Sequence, residues 1–499
     1  MDRRVFLTGA SGNMGSKGLT ELLKDSENKI ITLVLPTEKD REAMKPYENN
    51  PRVEIHWGDL TNYDDVKKCV INADIVLHVG ALVSPAADYF PEMTMKVNYG
   101  STVNIIRAIK EETDPDKVRL VFIGTIAETG DRLPPIHWGR VGDPIAPSVH
   151  DYYAVSKVAA ERAVIESGLK HWVSLRQTGI LSKKMADTED SIIFHQCLDN
   201  VLEYVTDKDS GVLLRNICKD LPEDFWCHIY NIGGGPACRI SCFNLFKEML
   251  GRIGIKQLDL ALDSSWFATR NFHGQYYLDS DKLNNYLHFR SGDLEYFYKL
   301  YFDKLGFTGR LSRIITKLPG GQHFIGSIMR KRFSKLTLGK RGTMSFIKQK
   351  RYDYINPLFI SEEKWKAIPQ MREFKHFEDW EKVVHIDHGY DESKPVSLLN
   401  LEDIKGAAKF RGGDCLSSSM VKGDMKTKLT FNCAFGHEFE ASPRLILEGG
   451  HWCPQCERES WNYNETAKVS PFFAQLWYAL HDKNEPSGKY RKIVSELDI

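Results

Sequence analysis

The 499-residue sequence contains no uninterrupted apolar run of about 18 or more residues, which excludes an ordinary membrane-spanning helix. It opens Met1-Asp2-Arg3-Arg4 directly before a strand-like run, with no apolar leader, so a cytoplasmic location is expected. Neither sign of charge is in excess: Lys+Arg and Asp+Glu both number 67, and the global field therefore selects neither nucleic acid nor an acidic membrane as partner. Cysteine is sparse. Of ten, seven stand singly (Cys69, Cys197, Cys218, Cys227, Cys238, Cys242 and Cys415), a pattern of reduced, buried thiols rather than a disulfide framework. Internal repeats and low-complexity tracts are absent, and the length leaves room for two or three domains.

The first informative presence is Val5-Phe6-Leu7-Thr8-Gly9-Ala10-Ser11-Gly12-Asn13-Met14-Gly15, followed by Leu19, Leu22 and Leu23 at helical spacing. This reads as a strand, a tight turn and a helix start. Unpaired N–H groups at a helix N-terminus, with glycines that admit close approach of the backbone, suit a pyrophosphate, so residues Thr8, Gly9, Ser11, Gly12, Asn13, Met14 and Gly15 are candidate dinucleotide contacts. The spacing is G-x-x-G-x-x-G, which departs from the G-x-G-x-x-G of the ordinary fingerprint.

Val118 to Gly124 reads as a buried strand delivering Thr125 at its end, where open α/β sheets place their ligands. Then Tyr153 and Lys157 stand at i and i+4 in a helical segment and share one face. A neighbouring ammonium favours the phenolate, so the spacing predicts a Tyr153 whose titration is lowered toward neutral pH and which exchanges a proton with a carbonyl or alcohol oxygen. Thr125 would hold that oxygen, and Lys157 would also meet a nicotinamide ribose.

With these elements in order, the chain resembles the extended short-chain dehydrogenase/reductase family, which includes nucleotide-sugar epimerases, dehydratases and carbonyl reductases. The resemblance spans roughly residues 1–300 and implies a Rossmann-type α/β fold, a doubly wound parallel sheet with a smaller substrate subdomain. It also implies cofactor contacts at Asp59 and Leu60 after the third strand, at Val79, Gly80 and Ala81 after the fourth, at Asn98, and at Gln177, Gly179 and Ile180. The chain departs from the family in having Gly80 where Ala is usual, one residue fewer between Asn98 and Gly100, and Gln177 where the family commonly has Pro.

An acid closing the second strand would bind the ribose 2′-hydroxyl of NAD, but Ile30 to Leu35 runs into Pro36-Thr37 and the first acid, Glu38, lies beyond. Lys39 or Arg41 would instead suit a 2′-phosphate, which favours NADP over NAD and leaves dual specificity open.

Near the C-terminus, Cys433 and His437 precede Cys453-Pro454-Gln455-Cys456. The C-x-x-C spacing with Cys433 and His437 supplies four tetrahedral ligands, and His451 is a rival for one place. The run resembles treble-clef or ribbon-type zinc modules over residues 430–460, which implies a structural zinc. Between the modules, Arg310 to Arg351 holds twelve Lys/Arg and no Asp or Glu, with Ile314, Ile315, Leu318, Phe324, Ile325, Ile328, Met329 and Phe333 interleaved. The preferred reading is a solvated face or docking on an acidic patch of the same chain; the alternative is contact with nucleic acid or an anionic membrane. Trp266 to Gly274 is the most pocket-like stretch, an ordinary aromatic core being the alternative.

These readings divide the chain into a dinucleotide-binding and substrate domain (1–300), a basic, partly helical extension (301–395) and a zinc-finger-like C-terminal domain (396–499). The expected function is an NAD(P)-dependent oxidoreductase moving hydride to or from a carbonyl or alcohol carbon of a small molecule, with Tyr153 as general acid/base and a homodimer as the expected assembly. A nucleotide-sugar epimerase or dehydratase with retained NAD is the alternative. A third reading is a dinucleotide-sensing scaffold that binds a partner through its C-terminal region.

Overall fold

The computed structural model describes residues 2–485 and 488–492; residues 486, 487 and 493–499 of the expected C-terminal domain lie outside the described residues. Its centre is a sheet of seven parallel strands: β1 (Arg3–Thr8), β2 (Asn28–Val34), β3 (Val53–Trp57), β4 (Ile75–His78), β5 (Arg119–Thr125), β6 (His171–Gln177) and β7 (His228–Ile232). Their order is β7-β6-β5-β4-β1-β2-β3. Strands covered on both faces read as continuous apolar runs, and Val5, Phe6 and Leu7 of β1 have no exposed surface.

Six helices matter for the site: α1 (Asn13–Leu22), α2 (Tyr63–Val70), α3 (Ser101–Glu112), α4 (Tyr152–Ile165), α5 (Asp207–Asn216) and α6 (Cys242–Arg252). On one face of the sheet α1 and α5 bury Leu19, Leu22, Leu213 and Leu214 against Val5 and Leu7. On the other, Ile105 and Ile109 of α3 and Val164 of α4 pack on Phe6 and Phe122. That second apolar cluster continues without a break into Ile404, Leu429, Phe431 and Leu445. These belong to a C-terminal module of three antiparallel strands, β8 (Gly413–Cys415), β9 (Leu429–Cys433) and β10 (Glu438–Ala441).

Strand order reverses between β1 and β4, which opens a crevice at their C-terminal ends. There the turn after β1 meets the turn after β4: Gly9 has φ +69, and a Cβ built on it would stand 2.7 Å from Gly80 Cα. Both its backbone conformation and this approach require glycine.

Two long helices, α7 (Leu294–Ile315), kinked at Gly306, and α8 (Gly321–Thr337), roof the crevice. In the pocket-like stretch expected from the sequence, Trp266 and Phe267 are core residues beside Phe194, whereas Phe272 and His273 reach the crevice. In the region after Glu362 the α-helix is limited to Glu362–Lys366. The rest forms a strap held by backbone acceptors, such as Trp380 O receiving Trp138 Nε1–H at 2.8 Å. The polar stretch around His388 is also packed inward. His388 Nε2 lies 3.0 Å from Asp143 Oδ1, and Asp143 takes Arg132 at 2.7 Å. The seven scattered cysteines are all buried and unpaired.

Gly9→Ala is expected to lower the thermal midpoint, since αL backbone costs a non-glycine residue about 1–2 kcal/mol before the contact with Gly80 is counted. An unchanged melt would contradict the close approach.

Candidate active site

The crevice is a cavity of about 580 Å³. Gly9, Gly12, Asn13, Met14 and Gly15 form one wall and Val79, Gly80 and Ala81 another; Thr125, Tyr153 and Lys157 line the middle, with Gln177, Gly179 and Ile180 beyond. Residues separated by more than 170 positions in sequence therefore share one space.

Seven other residues named from the sequence do not line this cavity. Thr8 stands behind it, its hydroxyl accepting from Gly80 N–H at 2.8 Å and meeting His78 Nδ1 at 3.0 Å. Burial lowers His78 to about 3, so the ring is neutral. Asn98 pins the loop after β4 to α4: its Oδ1 accepts from Leu82 N–H at 2.7 Å, and its Nδ2 donates to Ser156 Oγ at 2.9 Å. Asp59 is exposed and caps Thr61 N–H at 2.8 Å. A Cβ on Gly80 would stand 3.0 Å from Leu60 Cδ1 and Thr8 Oγ1 and 3.1 Å from Gly9 N, so side chains are crowded at this position. Arg41 lies with its guanidinium 4.5 Å over the Trp57 ring at the end of β3, and Lys39 is exposed in the same short helix. Ser11 belongs to the turn before α1.

The walls fit a dinucleotide. Helix α1 starts at Gly12 without a side-chain cap, leaving its first-turn N–H groups to an anion. Gln177 Oε1 is buried without a hydrogen-bond partner at the cavity wall, a position a bound donor would satisfy.

Tyr153 is hydrogen-bonded to Thr125, and burial raises its titration well above the ordinary phenol value. The ammonium-lowered phenol expected from the sequence is thus not what the structure has. Lys157 Nζ sits 4.4 Å over the Phe122 ring. Burial lowers it to about 8, against the opposing pull of Glu128 and Glu161. Sequence spacing placed Tyr and Lys on one helix face correctly, and both line the cavity, but it did not show the burial that sets their titration. Thr125 is fixed by a capping box, accepting from Ala127 N–H at 3.2 Å and donating its own N–H to Glu128 Oε1 at 3.0 Å.

Behind these groups lies a buried charge cluster that sequence reasoning missed. Glu161, one further turn of α4 beyond Lys157, receives Arg176 Nη2 at 2.5 Å and Ser174 Oγ at 2.6 Å. Arg176 also reaches Glu128 at 3.3 Å and donates to Gly449 O at 2.7 Å. Glu128 is pushed well above the usual carboxylate range by burial and by Glu161, while Arg176 and His451 hold Glu161 far below it. Glu161 therefore carries the negative charge and Glu128 the proton. The only sequence signal for this was the continuation 153, 157, 161 along one face.

The C-terminal module is fastened to this same helix. Arg162 donates to Trp452 O at 2.5 Å and pairs with Glu457 at 3.1 Å; Glu166 accepts from Ser442 Oγ at 2.6 Å. His451 is fully buried with Nε2 3.2 Å from Glu161, and so is not the rival metal ligand considered from sequence. Cys433, His437, Cys453 and Cys456 bring their donor atoms within 4.8 Å of one another, a group that could hold a metal ion. Sulfur-to-Nδ1 distances are 3.3–3.5 Å, and Cys433 and Cys456 Sγ are 3.8 Å apart. Such edges fit a tetrahedron with bonds of about 2.0–2.3 Å.

Residues 5–208 match the NAD dependent epimerase/dehydratase family. A UDP-glucose 4-epimerase of Rickettsia bellii is 29% identical over 112 residues, which is 22% of this chain and 33% of that protein. UDP-glucuronic acid decarboxylase 3 of Arabidopsis thaliana is 24% identical over 224 residues, 43% of this chain and 62% of that protein. The chain thus spans about a third of the length of the curated epimerases it matches. Among solved structures, UDP-glucuronic acid 4-epimerase from Bacillus cereus, in complex with UDP-glucuronic acid and NAD, is 18% identical. That match covers 60% of this chain and 99% of the other, with a TM-score of 0.48.

Arg176→Ala is expected to cost about 3–5 kcal/mol in urea unfolding, because it strands a buried carboxylate. Glu128→Gln, which replaces a protonated acid and keeps the Oε1 acceptor, is expected within about 1 kcal/mol of the parent. Equal losses for the two variants would overturn the assigned proton positions.

Proposed function

On the premise that through residues 5–208 the chain belongs to the NAD dependent epimerase/dehydratase family, we propose that it is an NAD(P)-dependent oxidoreductase. It moves hydride between nicotinamide and a carbonyl or carbinol carbon of a small molecule with a sizeable apolar body. The observation that carries this reading is the content of the cavity: Thr125, Tyr153 and Lys157 in the middle, and beyond them a predominantly apolar end with Leu202, Leu245, Phe246, Phe297 and Phe333.

A bound nicotinamide supplies or accepts the hydride; the chain does the proton work. Tyr153, neutral because burial raises it, donates its proton to the substrate oxygen in the reductive direction and takes it back in the oxidative one. Thr125 orients the phenol and offers a second hydrogen bond to that oxygen. Lys157 binds the ribose and keeps positive charge near the reacting groups, its ammonium lying over the Phe122 ring. Lys39 and Arg41, with no acid closing β2, favour NADP.

A second reading, a nucleotide-sugar epimerase or dehydratase that retains NAD, draws support from the relatives named as UDP-glucose 4-epimerases. A substrate diphosphate needs cations in the cavity wall. Lys304 and Arg332, which stand there, are paired with Asp187 and Glu189, whereas Lys184 in the same wall has no ion pair among the described residues, so the preference for the oxidoreductase rests on the missing acid at the end of β2.

The metal proposed for Cys433, His437, Cys453 and Cys456 is zinc, because three thiolates and one imidazole form a soft tetrahedral set; four protein ligands leave no open position, so its role is structural. The 396–499 segment then serves as a metal-stabilised brace for α4, while 1–300 binds dinucleotide and substrate and 301–395 roofs the cavity.

Tyr153→Phe should lower turnover by roughly 10²-fold or more while dinucleotide affinity stays within a few-fold; parental turnover would end the proposed role. Arg41→Ala should weaken NADPH binding about tenfold and leave NADH unchanged, with equal effects on both excluding a 2′-phosphate contact. Cys456→Ser should leave well under one zinc per chain by elemental analysis and lower the melting temperature; full zinc content in that variant would remove the ligand set.

A further inference from the structure

Helices α7 and α8 have two working faces. Their inner faces line the cavity through Phe297, Tyr301 and Leu305 on α7 and through Met329, Phe333 and Leu336 on α8. Their outer faces are also apolar. Past the kink at Gly306, Phe307 is 77% exposed, Ile314 61% and Leu318 59%; on α8 Phe324 is 58% and Ile328 50% exposed. Positions 307, 311 and 314 share one face of α7, with Leu318 in the turn past its end, and 324, 328, 331 and 335 share one face of α8. Side chains of this size in two consecutive stripes exceed the singly scattered exposed apolar residues that need no explanation.

Basic groups border both stripes. Arg310, Arg313, Lys317, Lys331 and Lys335 are exposed, and no acid occurs from 310 to 351. Part of the basic run is used internally, as expected from the sequence: Arg330 pairs with Asp263 at 2.6 Å and Arg332 with Glu189. Among the described residues no ion pair involves Arg310, Lys317, Lys331 or Lys335, while Arg313 shares a surface pocket with Glu248, Asp293, Glu295 and Asp303.

We infer that the outer face of α7 and α8 docks on an anionic lipid bilayer, with Phe307, Ile314, Phe324 and Ile328 entering the interface and the bordering lysines and arginines meeting lipid phosphates. Three occupants compete for such a face, and the chemistry separates them. A second copy would bring the same positive charges into opposition. Nucleic acid would use the cations but gains little from exposed Ile314, Leu318 and Ile328, which neither stack on bases nor bind phosphate. An anionic bilayer satisfies both, taking up aliphatic and aromatic side chains to a depth of about 5–10 Å and attracting each nearby Lys or Arg by about 1 kcal/mol. No described helix is long and apolar enough to cross a membrane, so the contact is one of surface. Docking does not depend on the catalytic reading and can be tested apart from it.

The test is sedimentation of the full-length protein with phosphatidylcholine vesicles, with and without phosphatidylserine, at low and high salt. Co-sedimentation with the anionic vesicles, weakened by salt, is expected. The Phe307→Ser/Ile314→Ser/Phe324→Ser variant should lose roughly tenfold or more in vesicle affinity, and Lys331→Glu/Lys335→Glu should lose the preference for phosphatidylserine. Both should keep the parental melting temperature, since these side chains point outward; a variant that melts early is replaced by the single Phe307→Ser. Absence of vesicle binding at low salt overturns the inference. So does undiminished binding by Phe307→Ser, or capture by RNA or self-association in place of vesicle binding.

Discussion

The ion pair between Glu161 and Arg176 holds together three parts of the molecule that chain connectivity leaves apart. Glu161 lies two helical turns past Tyr153 on α4, Arg176 lies near the end of β6, and the pair is closed from outside by Gly449 O and His451 of the C-terminal module. Two charges taken out of water gain little net stability over an apolar replacement. What the pair supplies is definition: it fixes the rotation of α4 about its axis, and with it the direction in which Tyr153 and Lys157 point. The same carboxylate excludes a second charge on Glu128, which leaves Glu128 free to cap the turn that presents Thr125.

From that anchor the functional gradient runs outward. The back of α4 is dry and ionic, its front presents Tyr153 and Lys157 to the cavity, and the far wall is supplied by α7 and α8. The C-terminal module, which carries the four-ligand cluster, meets this wall through α4 and through Arg176 of β6. The roof helices, in turn, face the cavity on one side and the exterior on the other, so whatever meets their outer stripes is separated from the substrate space by one helix layer.

The sequence made the front of the site legible and left the back dark, and the reason is the range of the interactions. The glycine turn, the strand delivering Thr125 and the Tyr153–Lys157 spacing are local patterns, each set by period and by backbone need, such as the positive φ at Gly9. The Cys/His cluster was legible because metal ligation imposes short spacings. By contrast, Arg162 with Glu457 and His451 with Glu161 join residues about 290 positions apart, and no local period marks such partners. Thr8 and Asn98 could be picked out by position but not by task, because a short polar side chain beside a turn serves a ligand or a backbone N–H equally well. The direction of the Tyr153 titration was misread for a related reason: sequence gives the distance to a neighbouring ammonium along a helix, not the burial of the phenol.

The central claim is that the crevice between Gly9 and Gly80 is a dinucleotide site serving Tyr153. Its most direct test is to denature freshly purified protein, identify any nucleotide released by mass spectrometry, and titrate the remaining native sample with NADPH and NADH. A nicotinamide dinucleotide is expected, either released or bound on titration with a single site per chain. Protein that releases none and binds neither would contradict it.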